Sequence, residues 1–161
     1  MQKKVHVIVT YGAAVATLKQ ATTSIPIVLI AYDPVGSGLV ASLSRPGGNV
    51  TGLSMQAPEI AGKRLELLRQ LVPSLRRLAI LFDATYLATV LEKDNVQTVA
   101  RHLGLEVEPF ETRRAEDIAP AFDVLKGHAD ALYVVAVAIS AHITTLALNM
   151  RLPTTFEFAF L

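Results

Sequence analysis

The chain has 161 residues, is 52% hydrophobic and 18% charged, and has a mean hydropathy of +0.42; this suits one ordinary α/β domain or two small ones and excludes a disordered segment. A formal net charge of +1 gives no field to attract nucleic acid or an acidic membrane, and the basic pairs Lys63-Arg64, Arg76-Arg77 and Arg113-Arg114 read as solvated helix ends. With no cysteine there is no disulfide, thiol nucleophile or thiolate metal site, which fits both the cytoplasm and an exported protein that needs no staple.

The start, MQKKVHVIVTYGAAVATLKQA, has Lys3-Lys4, an apolar run and small residues at Ala14 and Ala16, as a secretory leader would. His6, Thr10 and Tyr11 interrupt that run, and Val5, Val7 and Val9 alternate, so Val5–Thr10 reads as a strand and no convincing signal peptide is present. Gly12 breaks it into a helix over about Ala13–Ala21. Ile25–Ala31 is nearly continuous in apolar residues, as a strand covered on both faces should be. Leu39–Ser44 supports a short helix stopped by Pro46-Gly47-Gly48, and Asn49–Ser54 is a short extended crossing.

Pro58-Glu59 opens a helix to about Val72, with Ala61, Leu65, Leu68 and Val72 in one stripe widened by Leu67 and Leu71. Leu78–Phe82 is a strand stopped by Asp83. A long helix from about Tyr86 to Leu103 carries Val96, Val99, Ala100 and Leu103 as apolar positions and ends at Gly104. Leu105–Phe110 alternates Leu105, Val107 and Pro109 with Glu106 and Glu108, the pattern of a strand near an edge. The next helix, roughly Glu116–Lys126, buries Ile118, Phe122 and Leu125 and tolerates Pro120 in its first turn. Ala131–Val137 is a buried strand, Ser140–Met150 a helix with Ile143, Leu146, Ala147 and Met150 inward, and Pro153–Leu161 is extended with Phe156, Phe158 and Phe160 on one face. Strands alternating with helices predict α/β architecture on parallel sheets. No segment reaches the ~18 uninterrupted apolar residues of a membrane span.

From Arg76 onward there are four βα-type units, enough for a sheet of their own. The two strands and one good helix before Gly52 are not enough, so the first third reads as part of a lobe.

Gly36-Ser37-Gly38-Leu39-Val40-Ala41 fits the G-x-G-x-x-G/A dinucleotide pattern. In that motif the first glycine follows the strand at once and opens a helix that packs along the sheet. Here Asp33-Pro34-Val35 intervenes, the helix stops at Pro46-Gly47-Gly48, no acidic residue closes a following strand, and no Gly-Lys-Ser/Thr is present. The glycines read instead as backbone freedom for a chain leaving one sheet for another. His6, His102, His128 and His142 are scattered without metal-ligand spacing, Glu106/Glu108 and Glu116-Asp117 read as solvated, and no G-x-S-x-G elbow exists. The expectation is therefore binding rather than catalysis, with no catalytic residue, metal or cofactor.

The Asp-Pro-Val-Gly-x-Gly-Leu-Val-x-Ser-Leu run, the Arg-Pro-Gly-Gly-Asn-x-Thr-Gly turn and the Gly-Lys-Arg-Leu-Glu-Leu-Leu helix together are specific. They closely resemble the substrate-binding proteins of ABC transporters of the tryptophan/tyrosine type, and the resemblance extends more loosely across the chain. It implies a type I periplasmic-binding-protein fold of two Rossmann-like parallel-sheet lobes with a small ligand in the cleft between them. Residues 1–50 would be a partial N-terminal lobe, 51–58 a hinge crossing with Asn49–Ser54 as its extended stretch, and 59–161 a C-terminal lobe incomplete at its end. The family's export signal and first two strands and helices would precede Met1, and its chain would continue past Leu161, so this sequence reads as a fragment of the family pattern. ABC permease subunits as partners and a periplasmic or lipid-anchored location follow from the resemblance.

Ligands of open α/β sheets lie beyond the carboxyl ends of the strands. That rule selects Tyr11 and Gly12 after the first strand, Tyr32 and Asp33 after the second, Asp83, Thr85 and Tyr86 after Phe82, and Ala138 and Ser140 after Val137. Helix N-termini near Gly12, Thr85 and Ser140 offer amide donors to a carboxylate. Tyr11, Tyr32 and Tyr86 suit a flat ligand, and Asp33 or Asp83 an amine. Each residue also has a local role open to it: Asp33 as a turn residue before proline, Asp83 and Ser140 as helix caps, Tyr32 and Tyr86 as half-buried packing. Related members have a His-Gly-Thr type turn where this chain has Tyr11-Gly12-Ala13, and are Asn-Pro-rich where it has Asp83-Ala84-Thr85-Tyr86, so pocket chemistry is not carried over residue by residue.

The leading expectation is the solute-binding component of an ABC-type importer for an amino-acid-like ligand. The alternative is a non-binding remnant that self-associates, as a homodimer or larger, through an exposed sheet edge. The family orders each lobe's strands 2-1-3-4-5, so without the first two strands the third is a bare edge. A ligand-sensing regulator would need a DNA-binding helix-turn-helix before residue 1.

Overall fold

A computed structural model describes residues 4–12, 14–55, 57–135 and 140–156. The chain divides into two compact units, Met1–Ala57 and Pro58–Leu161.

The first unit holds the strands β1 (Ile8–Tyr11), β2 (Ile27–Ala31) and β3 (Val50–Ser54), with the helix α1 (Ala14–Ala21) between the first two. All pairs are parallel and the order is β1-β2-β3, which leaves β1 at an edge. Residues expected to form the crossing at Asn49–Ser54, and with it the start of the 51–58 hinge, are instead a third strand paired along β2. Asn49 precedes it, and its side-chain Nδ2 donates to the Thr22 and Ile25 carbonyls at 3.0 and 2.8 Å, holding β3 beside β2. The short helix expected over Leu39–Ser44 does not form. Pro34 at the head of this stretch and Gly38 at a φ of 70° favour turns, and the Leu39 and Val40 amides both bond to the Pro34 carbonyl.

One face of this sheet, with Ile27, Leu29, Ala31 and Val50, is buried against Val15, Leu39 and Val40. Its other face presents Val9, Tyr11, Ile30 and Leu53, all exposed, as the period of two requires when only one side is covered. Gly52, opposite Leu29, has a φ of 154°, and a Cβ there would stand 1.9 Å from the Leu29 carbonyl oxygen.

The second unit is doubly wound. It comprises α2 (Ala57–Leu71), β4 (Arg77–Asp83), α3 (Leu87–His102), β5 (Glu106–Thr112), a 3-10 turn at Ala115–Asp117, α4 (Ile118–Leu125), β6 (Ala131–Val135), α5 (Ser140–Asn149) and β7 (Thr154–Phe156). The four parallel strands lie in the order β5-β4-β6-β7, so the unit's own first, second, third and fourth strands run 2-1-3-4. β5, with its alternating glutamates and Pro109, is an edge as its pattern predicts.

Alternate residues of each strand enter two cores. Leu78, Ile80, Phe82, Tyr133 and Val135 pack with Ala61, Leu65, Leu68, Val96 and Ala100 of α2 and α3. Ala79, Leu81, Leu132 and Val134 pack with Ile118, Phe122 and Leu125 of α4 and Ile143 and Ala147 of α5. Leu67 and Leu71, expected to widen the α2 stripe, face solvent at 59% and 80% exposure. Phe158 and Phe160 lie outside the described residues. Among the described residues no helix is long and apolar enough to cross a membrane.

Asp130 fastens the amino ends of β4 and β6. Its carboxylate accepts the Arg76 and Arg77 amides at 3.0 and 2.9 Å and pairs with the Arg77 guanidinium at 2.9 Å. The hydrogen bond from that guanidinium, then those from the two amides, hold the Asp130 carboxyl below the ordinary 3.8. A depressed folded-state value adds stability above the unfolded value and loses it as pH falls through the folded one.

Gly52→Ala is expected to lower the unfolding free energy in urea by roughly 2–4 kcal/mol, from a strained φ and a blocked strand contact; a loss below about 0.5 kcal/mol, the range of ordinary surface substitutions, contradicts this. In a carbon-13 titration the Asp130 midpoint is expected below 3.8 and to rise in Arg77→Met; a midpoint that Arg77→Met leaves in place contradicts the pairing.

Candidate functional site

In the first unit the carboxyl ends of β1 and β2 are neighbours, because Tyr11 is in register with Ile30. This brings together Tyr11 and Tyr32, whose hydroxyls are 3.1 Å apart and whose rings lie 6.2 Å apart with a tilt of 59°. The two differ in access. Tyr32 is buried at 5% exposure, whereas Tyr11 is 48% exposed, so Tyr11 offers a ring surface and Tyr32 holds it. Gly12, at a φ of 66°, turns the chain out of β1, and its amide bonds to the Ile30 carbonyl at 3.1 Å.

Asp33 closes a turn. Its Oδ1 accepts the Gly36 amide at 2.8 Å, and its carbonyl accepts from the Ser37 amide and hydroxyl. A Cβ on Gly36 would meet the Asp33 carboxylate at 2.0 Å. The first glycine of the Gly-x-Gly pattern therefore makes room for this carboxylate.

In the second unit β4 and β6 are adjacent while the chain visits β5 between them, so the order reverses at their carboxyl ends, where α/β sheets place ligands. Asp83 ends β4, and its Oδ1 accepts the Thr85 amide at 2.8 Å and the Thr85 hydroxyl at 2.6 Å. This shapes the turn before α3 without capping the helix amides. Tyr86, half-buried, is the residue before α3, and the Thr89 hydroxyl donates back to the Asp83 and Tyr86 carbonyls. The Thr112 hydroxyl, buried, donates to the Phe82 carbonyl at 2.9 Å and ties the end of β5 to this rim. Thr85 is exposed. Ala138 lies outside the described residues, and Ser140 is the first residue of α5.

The strand ends thus gather Tyr11, Gly12, Tyr32 and Asp33 in one unit and Asp83, Thr85 and Tyr86 in the other. A groove of about 400 Å³ opens at the opposite, amino end of the second sheet, lined by Arg77, Ala79, Glu106, Glu108 and His128 among others. Among the described residues no His, Asp and Glu cluster has the makings of a metal site.

A polar cluster in the second unit was not anticipated. Arg64, expected in solvent with Lys63, is 15% exposed at its side chain and reaches Glu92, 1% exposed, at 3.5 Å. The spacing Thr89, Glu92, Val96 puts Glu92 on the apolar stripe of α3, so the sequence carried a signal of its burial.

Two all-parallel α/β units in one chain, with aromatic and polar turns at their strand ends, have the build of a type I periplasmic-binding-protein fold. The chain belongs to the ABC transporter substrate-binding protein family, whose model matches residues 1–151. It is similar to the tyrosine-binding protein of Clostridioides difficile (strain R20291), at 33% identity over 115 residues, 71% of this chain and 33% of that relative. Among solved structures it is similar to the ABC domain in complex with L-Trp from Streptococcus pneumoniae, with a TM-score of 0.84 and 26% identity over 94% of this chain and 54% of that one. A conserved domain protein from Vibrio cholerae has the same fold, with a TM-score of 0.85 and 24% identity over 94% of this chain and 52% of that one. The chain spans about a third of the curated relative and half of the solved ones.

Asp33→Ala and Gly36→Ala are each expected to cost about 1 kcal/mol of the first unit's stability, since either removes the same turn bond. The double substitution should then cost little more than either alone. Full additivity by denaturant titration contradicts the pairing.

Proposed function

We propose that this chain carries the solute-binding function of an ABC-type importer, taking a small amino-acid-like ligand with an aromatic side chain. The observation that carries the reading is the family match over residues 1–151. Two of the three named relatives support the ligand class, since one is a tyrosine-binding protein and the other is a complex with L-Trp.

The strand-end residues suit such a ligand. The exposed ring of Tyr11, backed by Tyr32, offers a stacking surface worth about 0.5–1.5 kcal/mol beyond area burial. The first amides of α1, α3 and α5 are donors at the positive ends of helix dipoles, suited to a carboxylate. Asp33 and Asp83 stand where an ammonium group would be met, and Thr85, exposed, adds a hydroxyl. Ala138 and Ser140 complete the proposed set.

The protein on this reading binds and does not catalyse. It works outside the cytoplasmic membrane, periplasmic or lipid-anchored, and delivers its ligand to ABC permease subunits. Self-association through the β1 edge has less support, because the family match gives the chain a binding role.

In titration calorimetry L-tyrosine or L-tryptophan is expected to bind, and Tyr11→Ala and Thr85→Ala should each weaken the affinity about tenfold or more. No binding of either amino acid contradicts the proposal.

A further inference from the structure

Three polar side chains meet inside the core layer beneath α2 and α3. Arg64 of α2 donates from Nη1 to the Tyr133 hydroxyl at 3.2 Å and lies 3.5 Å from Glu92 Oε1. The Tyr133 hydroxyl donates onward to the same Glu92 oxygen at 3.4 Å. Within this triangle Tyr133 is 0% and Glu92 1% exposed, while the Arg64 side chain is part-buried at 15%.

An ion pair in such a place is a weak source of stability, because desolvation offsets most of its attraction and apolar residues of equal volume often do as well. What it supplies is direction. Leu65, Leu68, Val96 and Ala100 hold α3 on the sheet by contacts that tolerate sliding. The contacts among the guanidinium, carboxylate and phenol, already 3.2–3.5 Å long, tolerate it less, since a further shift of a few tenths of an ångström loses them.

The elements joined are the ones that carry the second unit's strand-end turn. Glu92 is the sixth residue of α3, about 7.5 Å along the axis from Leu87. Just before Leu87 come Asp83, Thr85 and Tyr86. Tyr133 stands on β6 in register with Ile80 of β4, the strand that Asp83 ends. Sliding α3 along the sheet would carry the turn with it.

We infer that Arg64, Glu92 and Tyr133 are a positioning triad that sets the place of α3 along the sheet and so holds the Asp83–Tyr86 turn in its binding geometry, an inference that rests on reading this turn as ligand-contacting. The three residues touch no ligand and act through the turn.

The test is native-state hydrogen exchange without ligand, read at the bonded amides of Thr85, Thr89 and Val90. Arg64→Met combined with Glu92→Met replaces the charges by apolar chains, and Val96→Ala is the control from the same core without polar contacts. The double variant is expected to melt within about 5 °C of the parent yet to exchange at those amides about tenfold faster or more, with α4 unchanged. Exchange there no faster than in Val96→Ala, or acceleration spread evenly over α4 as well, overturns the inference. Should the double variant fail to fold, Tyr133→Phe, which removes only a hydroxyl, is judged by the same comparison. Calorimetry with L-tryptophan separates the two readings. Loss of binding in the parent sinks the binding proposal and leaves the exchange result to decide the triad, whereas parental affinity and exchange in the folded double variant sink the triad alone.

Discussion

Parallel strands are satisfied edge to edge by their neighbours, but their two faces remain apolar and must be taken out of water. In the second unit the chain meets this demand by winding both ways. Leu78, Ile80 and Tyr133 go under α2 and α3, and Ala79, Leu81 and Leu132 go under α4 and α5. Burying each large side chain contributes about 1.5–3 kcal/mol, more than any surface contact in the molecule. Because every strand runs the same way, every carboxyl end comes to one rim. The candidate site is a by-product of how the core is covered. The first unit meets the same demand on one face, with Val15, Leu39 and Val40 over β2, and keeps Val9, Ile30 and Leu53 exposed on the other.

Where burial and periodicity agreed, the elements were legible. β6 is five apolar residues in a row and is buried throughout. α4 places Ile118, Phe122 and Leu125 inward as their spacing requires. β5 announced its edge position through Glu106, Glu108 and Pro109. β3 was hidden, because Val50-Thr51-Gly52-Leu53-Ser54 has weak strand character of its own and becomes a strand by pairing with β2. The stretch after Pro34 misled in the other direction. Leu39, Val40 and Ala41 look helical by residue type, while hydrogen bonds to the Pro34 and Pro46 carbonyls draw them into turns.

The environment of the candidate residues was legible only in part, for a related reason. A topological rule located the strand ends from the sequence, yet what each side chain does there depends on partners a few residues away. Asp33 accepts the Gly36 amide and Asp83 the Thr85 amide. These local bonds compete with any ligand for one carboxylate oxygen and also stiffen the turns that would meet it. The pairing of Arg64 is not legible locally, because its partners stand on α3 and β6, far along the chain, although the apolar stripe of α3 marks Glu92 for burial. The resemblance to ABC substrate-binding proteins, carried by three short runs of residues, reached further than any single-residue argument, since those runs encode the Asp33 turn, the Asn49 tie and the Arg64 helix together.

On the proposed reading a ligand meets the carboxyl ends of the strands in each unit. Backbone amide shifts recorded while L-tryptophan is added should then change chiefly at residues 11–12, 32–33 and 83–86. Changes gathered instead around Arg77, Glu106 and His128 at the opposite end of the second sheet, or no saturable change anywhere, would contradict it.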